Sequence, residues 1–256
     1  MDILVSEVVQ RFYTLLWPMI RVSAFLLASP FFSLKAVNVR LRVLLAALLT
    51  LMIYPLVDWP IINPYSAAGL REIFNQVLIG TVMGMLLQIV NAALVVGGQA
   101  VSTSMGLGMA NMIDPNMGNV PVISQFFIIC STLIFMGMGG HILVLSLILE
   151  SFKSLPIGQM LAPDMLMAVL LQWSSMMFLG ALLLALPIMV SLLFINIGVG
   201  VITRAAPALN IFAVGFPAMI LAGMVLLATS MSSIGFRIQW LWRESFEVVG
   251  QALGVT

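Results

Sequence analysis

Reactive side chains are few in this chain, and none is spaced for catalysis. The lone histidine, His141, excludes a metal site built from two or more histidines. It equally excludes the two-histidine metalloprotease helix. His141 follows Gly139-Gly140 and leaves two readings open, a proton carrier or an interfacial hydrogen-bonding residue. The lone cysteine, Cys130, lies in an apolar run, cannot form an internal disulfide and reads as a small packed hydrophobe. The nine acidic residues are scattered. Asp2, Glu7, Glu244 and Glu247 sit near the termini, and Glu72, Asp114, Glu150 and Asp164 fall at the ends of apolar segments or in loops. A proton relay of intramembrane carboxylates is therefore missing, as are a G-x-S-x-G elbow and a Walker A loop. What remains is non-covalent work: hydrogen bonding, packing and steric closure. No reactive pair is read from the residues alone, and no metal or cofactor is expected.

The elements that position these residues are membrane elements. Hydrophobic residues make up 62% of the chain and charged residues 7%, against roughly 25% charged in a soluble domain. The mean hydropathy is +1.18. A net charge of +1 with no basic stripe argues against a nucleic-acid partner. The start, MDILVSEVVQRF, is acidic before it is basic, so no cleavable signal peptide is expected and insertion would be led by the first apolar segment. Six apolar segments are read, at about 12–32, 43–57, 73–101, 122–149, 165–201 and 213–234, followed by an amphipathic tail, RIQWLWRESFEVVGQAL. Gly137, Gly139 and Gly140 interrupt the fourth segment, and Pro187 kinks or splits the fifth.

Loop charges do not orient these segments. One set of alternate regions holds Lys35, Arg40, Arg42 and Arg204, and the other holds Arg11, Arg71, Lys153, Arg237 and Arg243. The positive-inside rule needs an asymmetry that is absent here. Either a weak topogenic signal is rescued by context, or the final structure is not a simple up-and-down bundle in lipid.

Between segments three and four lies GGQAVSTSMGLGMANMIDPNMGNVP, residues 97–121. It holds five glycines, two prolines, three asparagines and four methionines, with Asp114 as its only charge. Such unpaired backbone cannot face lipid and is tolerated at membrane depth only inside protein or along a wet cavity. It is read either as a methionine-bearing segment tucked into an assembly or as an ordinary loop in a methionine-rich chain. In segment three, Gln76, Gly80, Gly84, Gln88, Asn91 and Gly98 fall on one face roughly 120° wide at helical spacing. That face meets protein or water rather than lipid, as a packing seam or a pore wall. Arg21 is the most costly residue of segment one, and either finds a buried partner or snorkels to an interface.

A resemblance gathers these observations. The run Arg204-Ala-Ala-Pro207-Ala-Leu-Asn210-Ile-Phe-Ala-Val-Gly215-Phe-Pro217 resembles the R-x-x-P-Q-x-N-x-F-x-x-G-F-P block of the FliR family, the R subunit of the bacterial flagellar type III export gate. WPMIRVSAFLLASPFF, QVLIGTVMGMLLQ, GLGMANMIDPNMGNVP and GGHILVLSLILESFKSLPIG look like that family in the same order, so the resemblance covers nearly the whole chain. One departure is Ala208, where the family commonly has Gln; it puts a polar contact at that position in doubt.

The resemblance implies a non-enzymatic, all-α integral membrane protein of long, kinked hairpins in a helical hetero-oligomer. Residues 1–164 would be built like a P subunit and contain the plug at about 106–121; residues 165–256 would be a Q-like hairpin with the amphipathic tail. One R subunit would join P and Q subunits in the bacterial inner membrane, within the flagellar basal body, with part of the assembly at periplasmic depth. Its further partners would be the B-type switch protein, the A-type export protein, unfolded flagellar substrates in transit and membrane lipid. Met105, Gly106, Gly108, Met109, Met112, Ile113, Asp114, Pro115 and Met117 would form the plug. Arg204, Pro207, Asn210, Gly215 and Pro217 would form a structural turn between the arms of the hairpin. The alternative function is a small-solute transporter or channel, which calls for paired repeats with matched broken helices. An intramembrane enzyme stands third, with no reactive pair to support it.

Overall fold

Each helix ends or begins where the sequence supplies a breaker. A computed structural model describes residues 2–31, 38–107, 121–159, 163–205 and 211–254. Its helices are α1 (Asp2–Ala28), α2 (Val39–Ile53), α3 (Ala67–Ser104), α4 (Val122–Gly137), α5 (Gly140–Ser154), α6 (Pro163–Ala205) and α7 (Ile211–Leu253). A 3-10 turn, Tyr54–Leu56, follows α2, and no strand occurs among the described residues. Pro30 and Pro156 lie just beyond helix ends and Pro121 just before a helix start, where a missing N–H costs nothing, and Leu155 before Pro156 has left the helical region at φ −121°, ψ 73°. Pro163 opens α6, the first-turn position that suits its fixed φ. Ser66 caps α3 by accepting from the Gly69 N–H at 3.0 Å. Asn38 caps α2, accepting from the Arg40 N–H at 3.4 Å.

The all-α membrane architecture matches the expectation; the segment count does not carry over. Among the described residues, four helical stretches are long and apolar enough to cross a bilayer: Val39–Leu56, α3, α6 and Gly215–Leu253 within α7. A fifth is reached if α4 and α5 are taken as one broken span. α1 is not among them, because Arg11 and Arg21 lower the hydropathy of its apolar stretch. The break in segment four falls at Met138–Gly139, where Gly139 has φ 73°, a left-handed conformation that costs a residue with a Cβ roughly 1–2 kcal/mol. Pro187 does not split α6, and the amphipathic tail is not a separate element but the continuation of α7 to Leu253.

Chain contacts separate two compact units. The first comprises residues up to 89, 139–174 and 244 onward; the second comprises 90–138 and 175–243. In the first unit, Trp17, Val22, Leu26, Met83, Leu86 and Leu87 are fully buried. α3 approaches α1 closely because two of its residues are glycine. A Cβ on Gly80 would stand 2.3 Å from the Arg21 carbonyl oxygen, and one on Gly84 would stand 2.5 Å from the Ala28 Cβ. Trp173 anchors the start of α6, its indole N–H donating to the Leu86 carbonyl at 3.0 Å.

In the second unit, α4 enters beside α3. Ser124 donates to the Val95 carbonyl at 2.9 Å, and Gly98 lies so near Ser124 that a Cβ would meet its Cα at 2.5 Å. Further along α4, the Trp242 indole donates to Ser131 Oγ at 2.8 Å and packs edge-on against Phe135 at 4.9 Å. Within this unit α6 and α7 form an antiparallel pair, with Gly180 against Leu241 and Leu183 against Arg237. The latter contact has a local cause. Pro187 has no N–H to give the Leu183 carbonyl, its partner four residues back in a helix. Nη1 of Arg237 donates to that freed oxygen instead.

Candidate functional site

Of the expected plug, the described residues hold the beginning. α3 ends at Ser104, and the Gly106 N–H closes the last turn on the Thr103 carbonyl at 3.0 Å. Gly106 has φ 82°, and a Cβ there would lie 2.8 Å from the Phe216 ring, so both backbone and space require glycine. Met105 is fully buried, with its side chain laid over Gly223, where a Cβ would meet Met105 Cγ at 2.5 Å. Beside this corner is a cavity of about 340 Å³ lined by Thr103, Ser104, Asn196, Phe216 and Met219 among others. A second cavity, of about 400 Å³, shares Ser104, Asn196 and Met219 and is walled by Leu186, Met189 and Leu193. The corner is apolar with a few hydroxyl and amide groups.

Gly108, Met109, Met112, Ile113, Asp114, Pro115 and Met117 lie outside the described residues, as do Pro207 and Asn210. Arg204 stands exposed in the last turn of α6, where a cation meets the negative helix end. Gly215 and Pro217 are within α7 rather than in the connection, because that helix already begins at Ile211. Gly215 is buried and lines the first cavity.

The first unit contains a second constellation, built around Arg21. This side chain is 1% exposed, and each of its guanidinium nitrogens is engaged. Nε donates to Gln76 Oε1 at 2.6 Å. Nη1 donates to the Ser151 carbonyl at 2.5 Å and to Ser151 Oγ at 3.2 Å, and Nη2 donates to the Leu155 carbonyl at 2.8 Å. The plane of the guanidinium lies over the Phe152 ring, 4.2 Å from its centroid. The two carbonyls belong to the C-terminal end of α5, whose last carbonyl groups have no helical donors and carry the negative end of the dipole. Gln76 then passes the polarity on, its amide donating to Glu72 Oε1 at 2.5 Å.

Arg21 thus has buried partners and does not snorkel. Of the polar face expected on α3, Gln76, Gly80 and Gly84 lie against α1, while Gln88 is exposed and Asn91 half-buried. Glu72, only 5% exposed, belongs to the same network and was not singled out from sequence. The available signal was its place one helical turn before Gln76, on the same face.

His141 is exposed near the start of α5, and Cys130 is half-buried in α4. Among the described residues no group of three or more His, Cys, Asp or Glu side chains is placed to hold a metal ion.

Similarity to known proteins decides the family. The description "Bacterial export proteins, family 1" matches residues 12–245. The chain belongs to this family of bacterial export proteins. It is 32% identical over 238 residues to the flagellar biosynthetic protein FliR of Pectobacterium carotovorum subsp. carotovorum, covering 93% of this chain and 91% of that one. The FliR of Escherichia coli strain K12 is matched at the same identity and coverage. The FliR of Aquifex aeolicus is 28% identical over 252 residues, 97% of this chain and 96% of its own. The matched region of this export-family member takes in both units and the Arg21 network. The transporter reading called for matched broken helices, and among the described residues one pair, α4–α5, is broken at a short interruption.

Proposed function

We propose that this chain is a non-enzymatic subunit of the flagellar type III export gate in the bacterial inner membrane, the R subunit beside P and Q subunits. The observation that carries the reading is the end-to-end similarity to flagellar FliR proteins, over 93% of the chain. In this reading residues 1–164 take the place of a P subunit, and residues 165–256 form a Q-like hairpin. The stretch 106–121 plugs the channel entrance. The A-type export protein and B-type switch protein adjoin the gate, and unfolded substrates pass through it. Part of the assembly stands at periplasmic depth in the basal body.

Helix length supports that placement. α6 and α7 have 43 residues each, roughly 65 Å at a rise of about 1.5 Å per residue. A hydrocarbon core is about 30 Å thick, and tilts seldom exceed about 40°, so neither helix fits wholly within lipid. Exposed Leu171, Phe178, Phe194 and Ile197 on α6, and Leu221 and Val225 on α7, then need neighbouring protein wherever lipid does not reach them.

Purification in mild detergent from the native host, followed by mass analysis of the intact complex, tests the reading. A hetero-oligomer with one copy of this chain among several P and Q subunits is expected. A chain that ignores co-expressed P and Q subunits and stays monomeric overturns it, since burial against partners should add to the stability of the fold by mass action.

A further inference from the structure

Beside the Arg21 network, and wholly within the first unit, is a cavity of about 210 Å³. Glu72 lines it. Its Oε1 is occupied by Gln76, while Oε2 accepts no hydrogen bond from a described residue. No described cation lies within ion-pair distance of Glu72. Arg21 faces Glu72 but spends its own donors on Gln76 and on the carbonyl end of α5, so the carboxylate is reached through the Gln76 amide and has no direct ion pair. Asn75, half-buried, and Gln159, exposed at the rim, line the same cavity, and their side-chain amides have no described partner. Ile79, Met165 and Leu166 supply apolar wall.

We propose that this cavity is a socket for a primary ammonium group on an aliphatic stem, in the form of a lysine side chain from a neighbouring polypeptide. An ammonium carries three donors and no acceptor. Glu72 Oε2 and the amide oxygens of Asn75 and Gln159 are three acceptors, one of them anionic. The methylene stem packs along the apolar wall, as lysine stems do while their heads keep polar company. Space suffices: a cavity of about 150 Å³ already admits benzene. An amine borne by a phospholipid is disfavoured, because its phosphate would meet no cation in the lining. The lysine source rests on the reading of the chain as one subunit of an assembly; the ammonium socket itself does not.

The probe is n-butylammonium chloride, titrated against the purified chain while the thermal unfolding midpoint is followed. A saturable rise is expected that potassium and tetramethylammonium chlorides do not reproduce. Glu72→Gln should abolish it. Asn75→Leu fills the cavity while leaving the Arg21–Gln76–Glu72 bonds intact, so it keeps the test decisive if Glu72→Gln misfolds; it should abolish the rise as well. Equal responses from wild type and Asn75→Leu overturn the socket. Vesicles of phosphatidylethanolamine that reproduce the shift, with n-butylammonium inert, transfer the site to lipid and overturn the lysine. In the assembled complex the socket is filled, so the response should disappear. An assembled complex that still responds overturns the lysine while leaving the export-gate reading untouched.

Discussion

Arg21 is held by one side-chain amide, one hydroxyl, an aromatic face and two backbone carbonyls, and what it fastens is chiefly the end of α5. Removing it therefore strands several partners at once. Arg21→Met leaves Glu72 buried without the cation opposite it and returns the Ser151 and Leu155 carbonyls to an unsatisfied state. Breaking a buried charged network by removing one member costs about 3–5 kcal/mol, and that loss is expected in detergent-titrated unfolding followed by tryptophan fluorescence. The double variant Arg21→Met, Glu72→Met should recover part of it, because the second change removes the stranded carboxylate. Strict additivity of the two losses would show that the residues do not act together. The sequence marks one half of this network. A lone arginine in an apolar segment and an amide on a glycine-bearing face are both visible as types and spacings. Glu72 reads as a segment end because α3 starts earlier than its hydropathy does, at Ala67. The carbonyls of Ser151 and Leu155 have no signature at all, since every residue carries one.

Helices α6 and α7 show how a breaker becomes a joint when its consequence is absorbed elsewhere. Pro187 withholds one hydrogen bond from α6, and Arg237, fifty-four residues beyond Leu183, supplies it from the opposite arm. Pro187 and Arg237 are each visible in the sequence, one as a kink and one as a loop-side charge. Their link depends on the register of the antiparallel pair, which hydropathy does not encode. The link is testable as a cycle. Arg237→Met should cost about 1 kcal/mol of stability, the ordinary net worth of a hydrogen bond at a partly exposed position. In a Pro187→Ala background the new N–H reclaims the Leu183 carbonyl, and the same Arg237→Met change should then cost much less. Unfolding measurements on the four variants give the coupling, and equal costs in both backgrounds would show that Arg237 acts on something other than this carbonyl. The same reasoning explains where segment reading goes astray. Hydropathy stops at about Ile234, yet α7 continues to Leu253 because Ile238, Leu241, Trp242 and Val249 keep one face buried.

For the whole molecule, the proposed gate rests on the connection between α3 and α4, and the described ends of that connection set what can be removed. Met105 and Gly106 are packed into the second unit against Gly223 and Phe216, so a deletion that includes them would damage the scaffold as well as the plug. α4 enters the unit at Ser124, beside Val95 and Gly98, about two helical turns before α3 ends. Deleting residues 108–116 leaves 105–107 and 117–121 to close the gap. At about 3.3 Å per residue this remnant reaches roughly 25 Å, more than the offset along α3 requires. The helices should therefore keep their packing, and the complex its assembly. What is lost is Met109, Met112 and Ile113, the apolar side chains that would exclude water from the constriction and raise an ion barrier by dewetting. Cells expressing the assembled variant should leak small ions, measured as membrane conductance or as impaired growth under salt stress. Single Met→Ala changes should leak less, because flexible methionines repack around one another and share the seal. An assembled complex lacking 108–116 that holds ions as tightly as wild type would place the seal in the partner subunits.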